Sequence, residues 1–292
     1  MRISKKNKPW IILSFIAPGA VIYILFLIWQ IVEAVRLSTY SWTSITAKEF
    51  TGMKNYIWMF QDTSFWNSLR LTLIYMVATV IGSMLIGFTF GYLIYIGMRG
   101  KNFFRTVYFI PTVLSGVAVS YIWRYLFSPS FGITKGFMKW LGYGADVSPL
   151  GISDTAFAAA ILVALWSGVG VQIMMFNSAF NNIPEEVLEY ASLDGCTGLR
   201  LIRYMILPLS WDVVKMIVIL QVIGAFRAFD QIFVMTAGGP YHSTEILPMY
   251  MYLTAFENNK YGRGNAIAVA IFIISMAITV LLRKVLKQES II

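Results

Sequence analysis

The chain has 292 residues, of which 58% are hydrophobic and 13% are charged, and its mean hydropathy is +0.69. Soluble domains carry about 25% charged residues, so this sequence has too few polar side chains to cover a surface in water. The net charge of +9 comes from short basic clusters between apolar runs, a pattern typical of membrane proteins and not of nucleic-acid binding. One cysteine, Cys196, and one histidine, His242, exclude an internal disulfide and a His-rich or Cys-rich metal site, so no metal site is predicted.

Six apolar stretches are long enough to cross the hydrocarbon core as helices, which takes about 20 residues each. They lie at 10–35, 68–98, 103–127, 155–180, 206–235 and 265–285. The first stretch runs on too long for a signal peptide and lacks a small-residue cleavage site, which predicts a retained anchor. The sequence therefore predicts an all-α, polytopic membrane protein with six transmembrane helices in one domain, residues 1–292.

The distribution of Lys and Arg predicts the orientation. The segments that share a side with the N-terminus hold 12 basic residues in 50 positions, whereas the segments on the opposite side hold 6 in 84. Because basic residues concentrate in cytoplasmic loops, this difference predicts a multi-pass protein of the cell membrane with cytoplasmic N- and C-termini.

The long inner segment between the fourth and fifth spans, 181–205, has the features of a short helix. Pro184 suits the first turn of a helix, where its missing N–H has no intrahelical partner to lose. Glu185, Glu186 and Glu189 place negative charge near the positive end of the helix dipole. These residues predict that the helix starts at Pro184.

The same segment predicts where the helix ends and which side chains share a face. Leu188, Ala191 and Ser192 recur at helical spacing, and Gly195 and Gly198 break the helix after about three turns. A short acidic helix on a glycine hinge suits insertion into a groove on another protein. A solvated connector or a helix lying on the bilayer is the alternative, although anionic headgroups would repel the acidic start.

This loop resembles the EAA loop of ABC importer permeases, in which Glu-Ala-Ala is followed after three residues by Gly and after nine more by Ile-x-Leu-Pro. The matching positions hold this spacing throughout: Glu189, Tyr190, Ala191, Gly195, Met205, Leu207 and Pro208. Tyr190 and Met205 depart from the family's Ala and Ile, but the acid, the glycine and the Leu-Pro pair are kept.

Further matches extend over nearly the whole chain. They are Asn55-Tyr56, Arg105, Pro111, Trp123, Gly132, Phe229-Asp230, Thr236 to Pro240, Thr244, Tyr250 to Tyr252, Ala255-Phe256 and Gly262 to Ala268. With these residues the chain resembles the permease subunit of a binding-protein-dependent carbohydrate ABC importer of the maltose and glycerol-phosphate branch. The resemblance implies the type I importer permease fold.

The resemblance also implies partners and a transport function. A heterodimer with a second permease subunit would form the pathway, two ATPase subunits would dock below it, and an extracytoplasmic sugar-binding protein would deliver the sugar or oligosaccharide. The chain has no Gly-x-x-x-x-Gly-Lys-[Ser/Thr] phosphate loop. We therefore expect a transport subunit and not an enzyme, with no cofactor on this chain and with ATP and Mg on the ATPase partners.

The resemblance further implies that residues 185–199 form the coupling helix that sits in a groove of the ATPase. In that role Glu189 would pair with a basic residue of the groove, and Gly195 would permit close backbone approach. The expected coupling residues are Glu185, Glu186, Leu188, Glu189, Ala191, Asp194 and Gly195.

Polar and aromatic groups in the fourth and fifth spans are candidates for the transport pathway, because ionisable and amide groups in a span usually face a cavity or a partner. Gln221 lies near the middle of the fifth span and is the first candidate. Arg227 and Asp230 are three residues apart, as are Asp212 and Lys215, so each pair can form on one helical face. The alternative is that both pairs lie at the membrane faces and hold helices together. The complete candidate set is Gln172, Asn177, Gln221, Phe226, Arg227, Phe229 and Asp230.

Three further features have simpler interpretations. Ser83, Gly87 and Gly91 are small residues four apart, which predicts a helix-packing face in the second span. The outer loop with Gly238, Gly239 and Pro240 is the expected contact for the binding protein. His242 and Glu245, which follow in that loop, are expected to form a surface pair and not a metal site.

Two other classes of protein remain as alternatives. An ion-coupled secondary transporter would use the charged residues of its spans and need no partners, but this sequence shows no second pseudo-symmetric half. An integral membrane enzyme would need a cluster of acid, base or metal-binding groups, which one histidine and one cysteine hardly provide. The identity of the transported sugar stays open.

Overall fold

A computed structural model of the chain describes residues 8–43, 45, 47–130, 134–143 and 147–286. In chain order, the helices α1 to α15 of the described residues are Lys8–Tyr23, Trp29–Ser38, Lys54–Gln61, Thr63–Tyr95, Lys101–Val113, Gly116–Leu126, Lys135–Trp140, Ser153–Asn181, Glu185–Leu193, Leu199–Leu201, Leu207–Leu209, Trp211–Ala225, Asp230–Met235, Leu247–Tyr252 and Tyr261–Val285. Three π-helical turns, Ile24–Ile28, Ile202–Ile206 and Leu253–Glu257, and a 3-10 turn, Pro149–Gly151, complete the helical segments.

Some residues used in the sequence analysis lie outside the described part of the chain. They are the basic segment 1–7 and residues 287–292, which contribute to the predicted orientation, and Gly132, which contributes to the family resemblance. The predictions made on these residues have no structural test.

In the described part of the chain, four helical stretches are long and apolar enough to cross a membrane: Ser14–Ser38, Thr63–Tyr95, Ser153–Asn181 and Tyr261–Val285. They coincide, within a few residues at most ends, with the first, second, fourth and sixth predicted spans. The third and fifth predicted spans are each a pair of helices joined at a sharp bend. With each bent pair counted as one span, the chain has the six predicted spans.

The two bends correct the reading of the third and fifth spans as continuous helices. Between α5 and α6 the axis turns by 102°, because Leu114 and Ser115 adopt extended backbone with ψ of 147° and 134°. The axis turns by 68° at Ser210, between the short helices that end at Leu209 and α12. A proline precedes each bend, Pro111 three residues before Leu114 and Pro208 two residues before Ser210, so the sequence carried a marker of a helix break that the predicted spans did not use.

The fifth predicted span, 206–235, is also broken near its far end. Helix α12 ends at Ala225, and the separate helix α13 begins at Asp230. Two hydrogen bonds hold α13 to other helices: Arg124 Nη1 donates to Val234 O (3.1 Å), and Gln231 Nε2 donates to Ala160 O (2.6 Å). These tertiary bonds redirect the chain at a point where its apolar sequence alone predicts a continuing helix.

The described residues cluster into two compact units. The first comprises Met1–Thr63 with Met251–Ile273. It contains the only pair of strands in the described residues, β1 (Tyr40–Ser41) and β2 (Glu49–Phe50), which run antiparallel and are an exception to the all-α class. The Asn55 amide, a position of the family resemblance, donates 2.8 Å hydrogen bonds to Ser38 O and Tyr40 O and so ties the strand pair to α3.

The second unit comprises Ser64–Tyr250 with Ile274–Ile292 and contains α4, α8 and α12. Buried small and polar residues recur every three or four positions along α4: Thr72, Tyr75, Thr79, Ser83, Gly87 and Gly91. A Cβ at Gly87 would lie 2.9 Å from Gln172 Cβ of α8, closer than atoms can pack. The prediction that Ser83, Gly87 and Gly91 form a helix-packing face is therefore confirmed, and the contact lies within this chain.

Candidate functional site

The helix of the inner loop, α9, begins and ends close to where the sequence predicts. It covers Glu185–Leu193, with Pro184 in extended backbone immediately before it and two carboxylates in its first turn. At the other end, Cys196 N donates to Ala191 O (2.9 Å), and Gly195 N donates to Ser192 O (3.0 Å). This pair of bonds is the Schellman motif, which needs a left-handed residue, and Gly195 supplies it with φ of +73°.

One face of α9 packs against the protein itself. Ala191 is buried, and the half-buried Leu188 lies against a core cluster that includes Phe176, Phe180 and Ile206. Leu188 and Ala191 were expected to contact the ATPase. In the chain itself, Leu188 packs partly against α8 and the start of the fifth span, and contact of either residue with the ATPase stays a prediction.

The opposite face of α9 is open. Glu185, Glu186, Glu189 and Asp194 are exposed, and Tyr190 and Leu193 are 68% and 82% exposed. Glu186, Tyr190 and Leu193 follow one another at helical spacing, so they share one face. We call Glu186, Glu189, Tyr190 and Leu193 the outer face of α9.

The sequence analysis missed Leu193 as a candidate. The available signal was that Leu188 and Leu193 are five residues apart and so cannot both face the core.

The core cluster beneath α9 connects it to two spans. The aromatic cluster consists of Phe88 of α4 and Phe176 and Phe180 of α8, whose ring centroids are 5.2–5.8 Å apart. Residues of the loop and of α12, including Ile206 and Val214, complete the packing. Because such interiors are close-packed, this cluster couples α9 to the adjoining ends of α4 and α8.

A second candidate site is a cavity of about 200 Å³ in the same unit, between α4, α8, α12 and α13. Its polar lining is rich in hydroxyl and amide groups: Tyr75, Thr79, Ser83, Ser167, Gln172, Gln221 and Gln231. No charged side chain is among the described residues that line it. Gln172 Oε1 is buried there and has no hydrogen-bond partner within the described part of the chain. The cavity therefore offers neutral donors and acceptors to a polar ligand.

The structure brings together two of the predicted pathway residues and separates the others from them. Gln172 and Gln221 both line the cavity, joined by Gln231. Asn177 is buried and already paired, because it accepts a 3.1 Å hydrogen bond from Arg105 Nη2 and donates to Gly91 O at 3.4 Å. The sequence analysis missed the hydroxyl residues of α4, because their four-residue repeat predicts only packing.

The remaining pathway candidates lie at the break between α12 and α13. Phe226 is buried in the protein interior, and Phe229 stacks on Phe233 with 5.2 Å between ring centroids. Arg227 and Asp230 are both exposed and make no ion pair with each other, since the break places them outside one continuous helix. None of these four candidates lines the cavity. By contrast, Asp212 and Lys215 form the predicted ion pair within the first turns of α12.

The outer loop after α13 is a compact turn. Gly238 is buried, and the Thr244 hydroxyl donates to Gly239 O (2.8 Å) and shares a 2.7 Å hydrogen bond with the Thr236 hydroxyl. Gly239 and Pro240 are half-buried, whereas Tyr241 and His242 beyond them are exposed. His242 Nδ1 pairs with the buried Glu245 carboxylate as predicted. The glycines shape this loop, and its tip presents Tyr241 to the surroundings.

Comparison with known proteins agrees with this architecture. The family described as "Binding-protein-dependent transport system inner membrane component" matches residues 83–288. The Multiple sugar-binding transport system permease protein MsmF of Streptococcus mutans is 34% identical over 97% of this chain and 97% of its own length. The sn-glycerol-3-phosphate transport system permease protein UgpA of Agrobacterium fabrum is 27% identical over 90% of each chain.

Solved structures show the same fold. The structure of a bacterial ABC transporter involved in the import of the acidic polysaccharide alginate contains a chain that matches with a TM-score of 0.79, at 18% identity and over 97% of both chains. The predicted family and importer permease fold are confirmed, and so is the expectation of a transport subunit in place of an enzyme. Nothing in these similarities favours an ion-coupled secondary transporter. The chain belongs to the family of binding-protein-dependent transport system inner membrane components, as a multi-pass membrane permease.

Proposed function

We propose that the chain is one of the two permease subunits of an ATP-driven importer for a sugar or oligosaccharide. The observation that carries this proposal is the uncharged cavity lined by Gln172, Gln221 and Gln231. Amide and hydroxyl groups are suited to the many hydroxyls of a sugar, and the unpartnered Gln172 Oε1 is an acceptor held ready for one of them. Relatives named for multiple-sugar and glycerol-phosphate transport support this substrate class.

The size of the cavity supports a second permease. At about 200 Å³ it is smaller than the roughly 300–1,000 Å³ of sites that enclose a whole drug-sized ligand. It would hold only part of an oligosaccharide, and a facing subunit would supply the rest of the site. In this proposal the two permeases form a heterodimer with the pathway between them.

The outer face of α9 would dock into the groove of one of the two ATPase subunits, and the second permease would use the groove of the other. Its carboxylates suit a basic groove, and the exposed Tyr190 and Leu193 supply apolar anchors. Aromatic and apolar anchors surrounded by polar groups carry most of the affinity in protein interfaces. ATP and Mg would be bound by the ATPases, with no cofactor on this chain, and the movement would reach the spans through Leu188 and Ala191.

The proposed orientation places both termini and α9 in the cytoplasm and the 236–246 loop outside. The excess of basic residues on the inner segments supports it. The extracytoplasmic binding protein would then contact the outer loop at Gly238, Gly239 and Pro240 and at the exposed Tyr241. The crystal structure of the alginate transporter in complex with its pentasaccharide-bound periplasmic protein supports such an arrangement by analogy.

The proposal is tested by purifying the tagged chain from membranes in mild detergent and identifying what accompanies it by mass spectrometry. We expect a second six-span permease and an ATPase with a phosphate loop. The complex, reconstituted in liposomes with the binding protein, should accumulate sugar only when ATP is present. A chain that purifies alone and transports without ATP would instead be a secondary transporter.

A further inference from the structure

A groove of about 790 Å³ lies between the beginning of α12 and the end of α15, within the second unit and away from the amide-lined cavity. The described residues that line it are Asp212, Lys215, Met216, Ile219, Leu220, Val280, Arg283 and Lys284. The Trp211 indole donates a 3.3 Å hydrogen bond to Leu286 O and so ties the two helices together beside the groove. We call this feature the α12–α15 groove.

The polar and apolar residues of the groove are separated by depth. Lys215 is near the start of α12, whereas Leu220 is five residues further along, or about 7.5 Å deeper at 1.5 Å per residue. On α15, Val280 lies one turn before Lys284, so it lines the apolar part of the groove together with Leu220. The groove is therefore basic at the end formed by the start of α12 and the end of α15, and apolar further along the two helices.

The charge of the groove is positive. Asp212 and Lys215 form an ion pair with each other, which leaves Arg283 and Lys284 as two exposed cations among the described lining residues. The apolar wall is open as well, since Met216, Leu220 and Val280 are 55%, 49% and 44% exposed. The groove thus combines a site for an anion with an uncovered surface suited to a hydrocarbon chain.

From this combination we infer that the α12–α15 groove binds an anionic phospholipid of the inner leaflet. Arg283 and Lys284 contact the phosphodiester headgroup, and an acyl chain lies along Met216, Leu220 and Val280. Basic pockets between transmembrane helices at the cytoplasmic surface recognise anionic headgroups in this way. A free phosphate would use only the basic end, and a zwitterionic lipid would gain little from two cations.

Native mass spectrometry of the full-length chain, with the subunits that accompany it, tests this inference. The protein is reconstituted in membranes of equal parts phosphatidylglycerol and phosphatidylcholine and re-extracted, and the lipids that it retains are counted. We expect retained phosphatidylglycerol in the wild type. Loss of two surface cations should weaken that retention about thirtyfold in the double variant Arg283→Gln, Lys284→Gln.

A matched control separates the groove from general attraction to an anionic membrane. Arg99 and Lys101 are also exposed and are predicted to lie on the same membrane side, but they do not line the groove. The double variant Arg99→Gln, Lys101→Gln removes the same charge and should change retention by less than about twofold, because distant surface charges are screened.

Other results would overturn the inference. Equal losses in the two double variants would show attraction to the surface as a whole, and equal retention of phosphatidylcholine would show an apolar groove without headgroup selection. Displacement of the lipid by millimolar inorganic phosphate would show a phosphate site. Absence of retained lipid from the assembled complex would show that a partner subunit covers the groove.

Discussion

Gln172 serves two purposes with the two ends of one side chain. Its Cβ lies where a Cβ at Gly87 would come within 2.9 Å, so its stem is part of the close contact between α4 and α8. Its carbonyl oxygen is buried at the cavity without a partner in the described residues. A buried acceptor without a hydrogen bond costs about 1–3 kcal/mol, which a protein tolerates where a ligand supplies the missing donor. The unpaired carbonyl oxygen of Gln172 thus lowers the stability of the folded protein but is available to accept a hydrogen bond from a ligand.

Replacing Gln172 with Leu should therefore separate stability from transport. Loss of the unpaired acceptor should stabilise the folded protein by about 1 kcal/mol and raise its thermal midpoint in detergent by about 2–4 °C. Uptake by the reconstituted complex should fall about two- to tenfold, because a hydrogen bond to the substrate is lost.

The matched control is Asn177→Leu, on the same helix. Asn177 uses its amide for Arg105 and Gly91, so this variant should lower the thermal midpoint. A lower midpoint for Gln172→Leu with unchanged uptake would contradict the role given to the cavity.

The sequence made amides pathway candidates and put Gln221 first, but it could not distinguish between Gln172 and Asn177. Gln172 and Asn177 have the same chemistry and lie on the same helix, yet one faces the cavity and the other is paired. The partner that decides this is Arg105, 72 residues away in the chain. Gln221 does line the cavity, as expected for an amide near the middle of a span, and its role in the pathway stays a prediction.

At the scale of the element, α9 is defined by its ends. Acidic residues at its start and the Schellman motif at its end are local features, so its position followed from the sequence. Its orientation did not, because the face turned inward depends on the core cluster assembled from α8 and α12. Leu188 and Leu193 are equally apolar, and only the fold determines that the first is packed and the second exposed.

Substitutions on the two faces of α9 should change different properties: those on the outer face should weaken ATPase association, and those on the packed face should lower thermal stability. Leu193→Asp should leave the thermal midpoint unchanged, since the side chain is 82% exposed, but weaken ATPase association roughly thirtyfold. Glu189→Lys should likewise weaken ATPase association and leave the thermal midpoint unchanged. Leu188→Ala should lower the midpoint while a folded fraction still binds the ATPase. Co-purification and thermal unfolding measure the two effects, and normal ATPase binding by Leu193→Asp would remove the outer face of α9 from the interface.

Variants of Gly195 distinguish conformation from contact. The left-handed backbone there disfavours most side chains by about 1–2 kcal/mol, while Asn tolerates it. Apart from Gly195 and its two neighbours in the chain, no heavy atom of the described residues lies within 4 Å of a Cβ built at Gly195. If the glycine only completes the helix end, Gly195→Asn should retain coupled ATPase activity and Gly195→Asp should reduce it moderately. Loss of coupling in both folded variants would show that the ATPase approaches the Gly195 backbone closely.

At the scale of the whole molecule, the number of spans was predictable because apolar length alone determines it. The positions of the bends were not predicted, because Leu114, Ser115 and Ser210 carry no strong signal of their own and Pro111 and Pro208 lie two or three residues earlier, inside helices. The end of α12 likewise depends on the bonds of Arg124 and Gln231 to distant backbone atoms. The number of spans thus follows from the length of the apolar stretches, whereas the point at which α12 ends depends on tertiary hydrogen bonds.

The single cysteine provides a test of the proposed orientation. Cys196 is half-buried in the loop after α9, so a membrane-impermeant maleimide should label it in inside-out vesicles and not in intact cells. In the Cys196→Ser background, His242→Cys should show the reverse pattern, because His242 is exposed on the opposite loop. Labelling of Cys196 from outside intact cells would show that the topology is the reverse of the proposed one.

The aromatic cluster has a mechanical consequence. Phe176 lies four residues after Gln172 on α8, one helical turn away, and its other side supports the residues that hold α9. Close-packed rings have low compressibility, so a load applied to α9 cannot be absorbed between them. In the proposed function, a displacement of α9 by the ATPase would therefore pass through the aromatic cluster to the Gln172 amide. The packing that holds α9 and the proposed sugar contact are one turn of α8 apart.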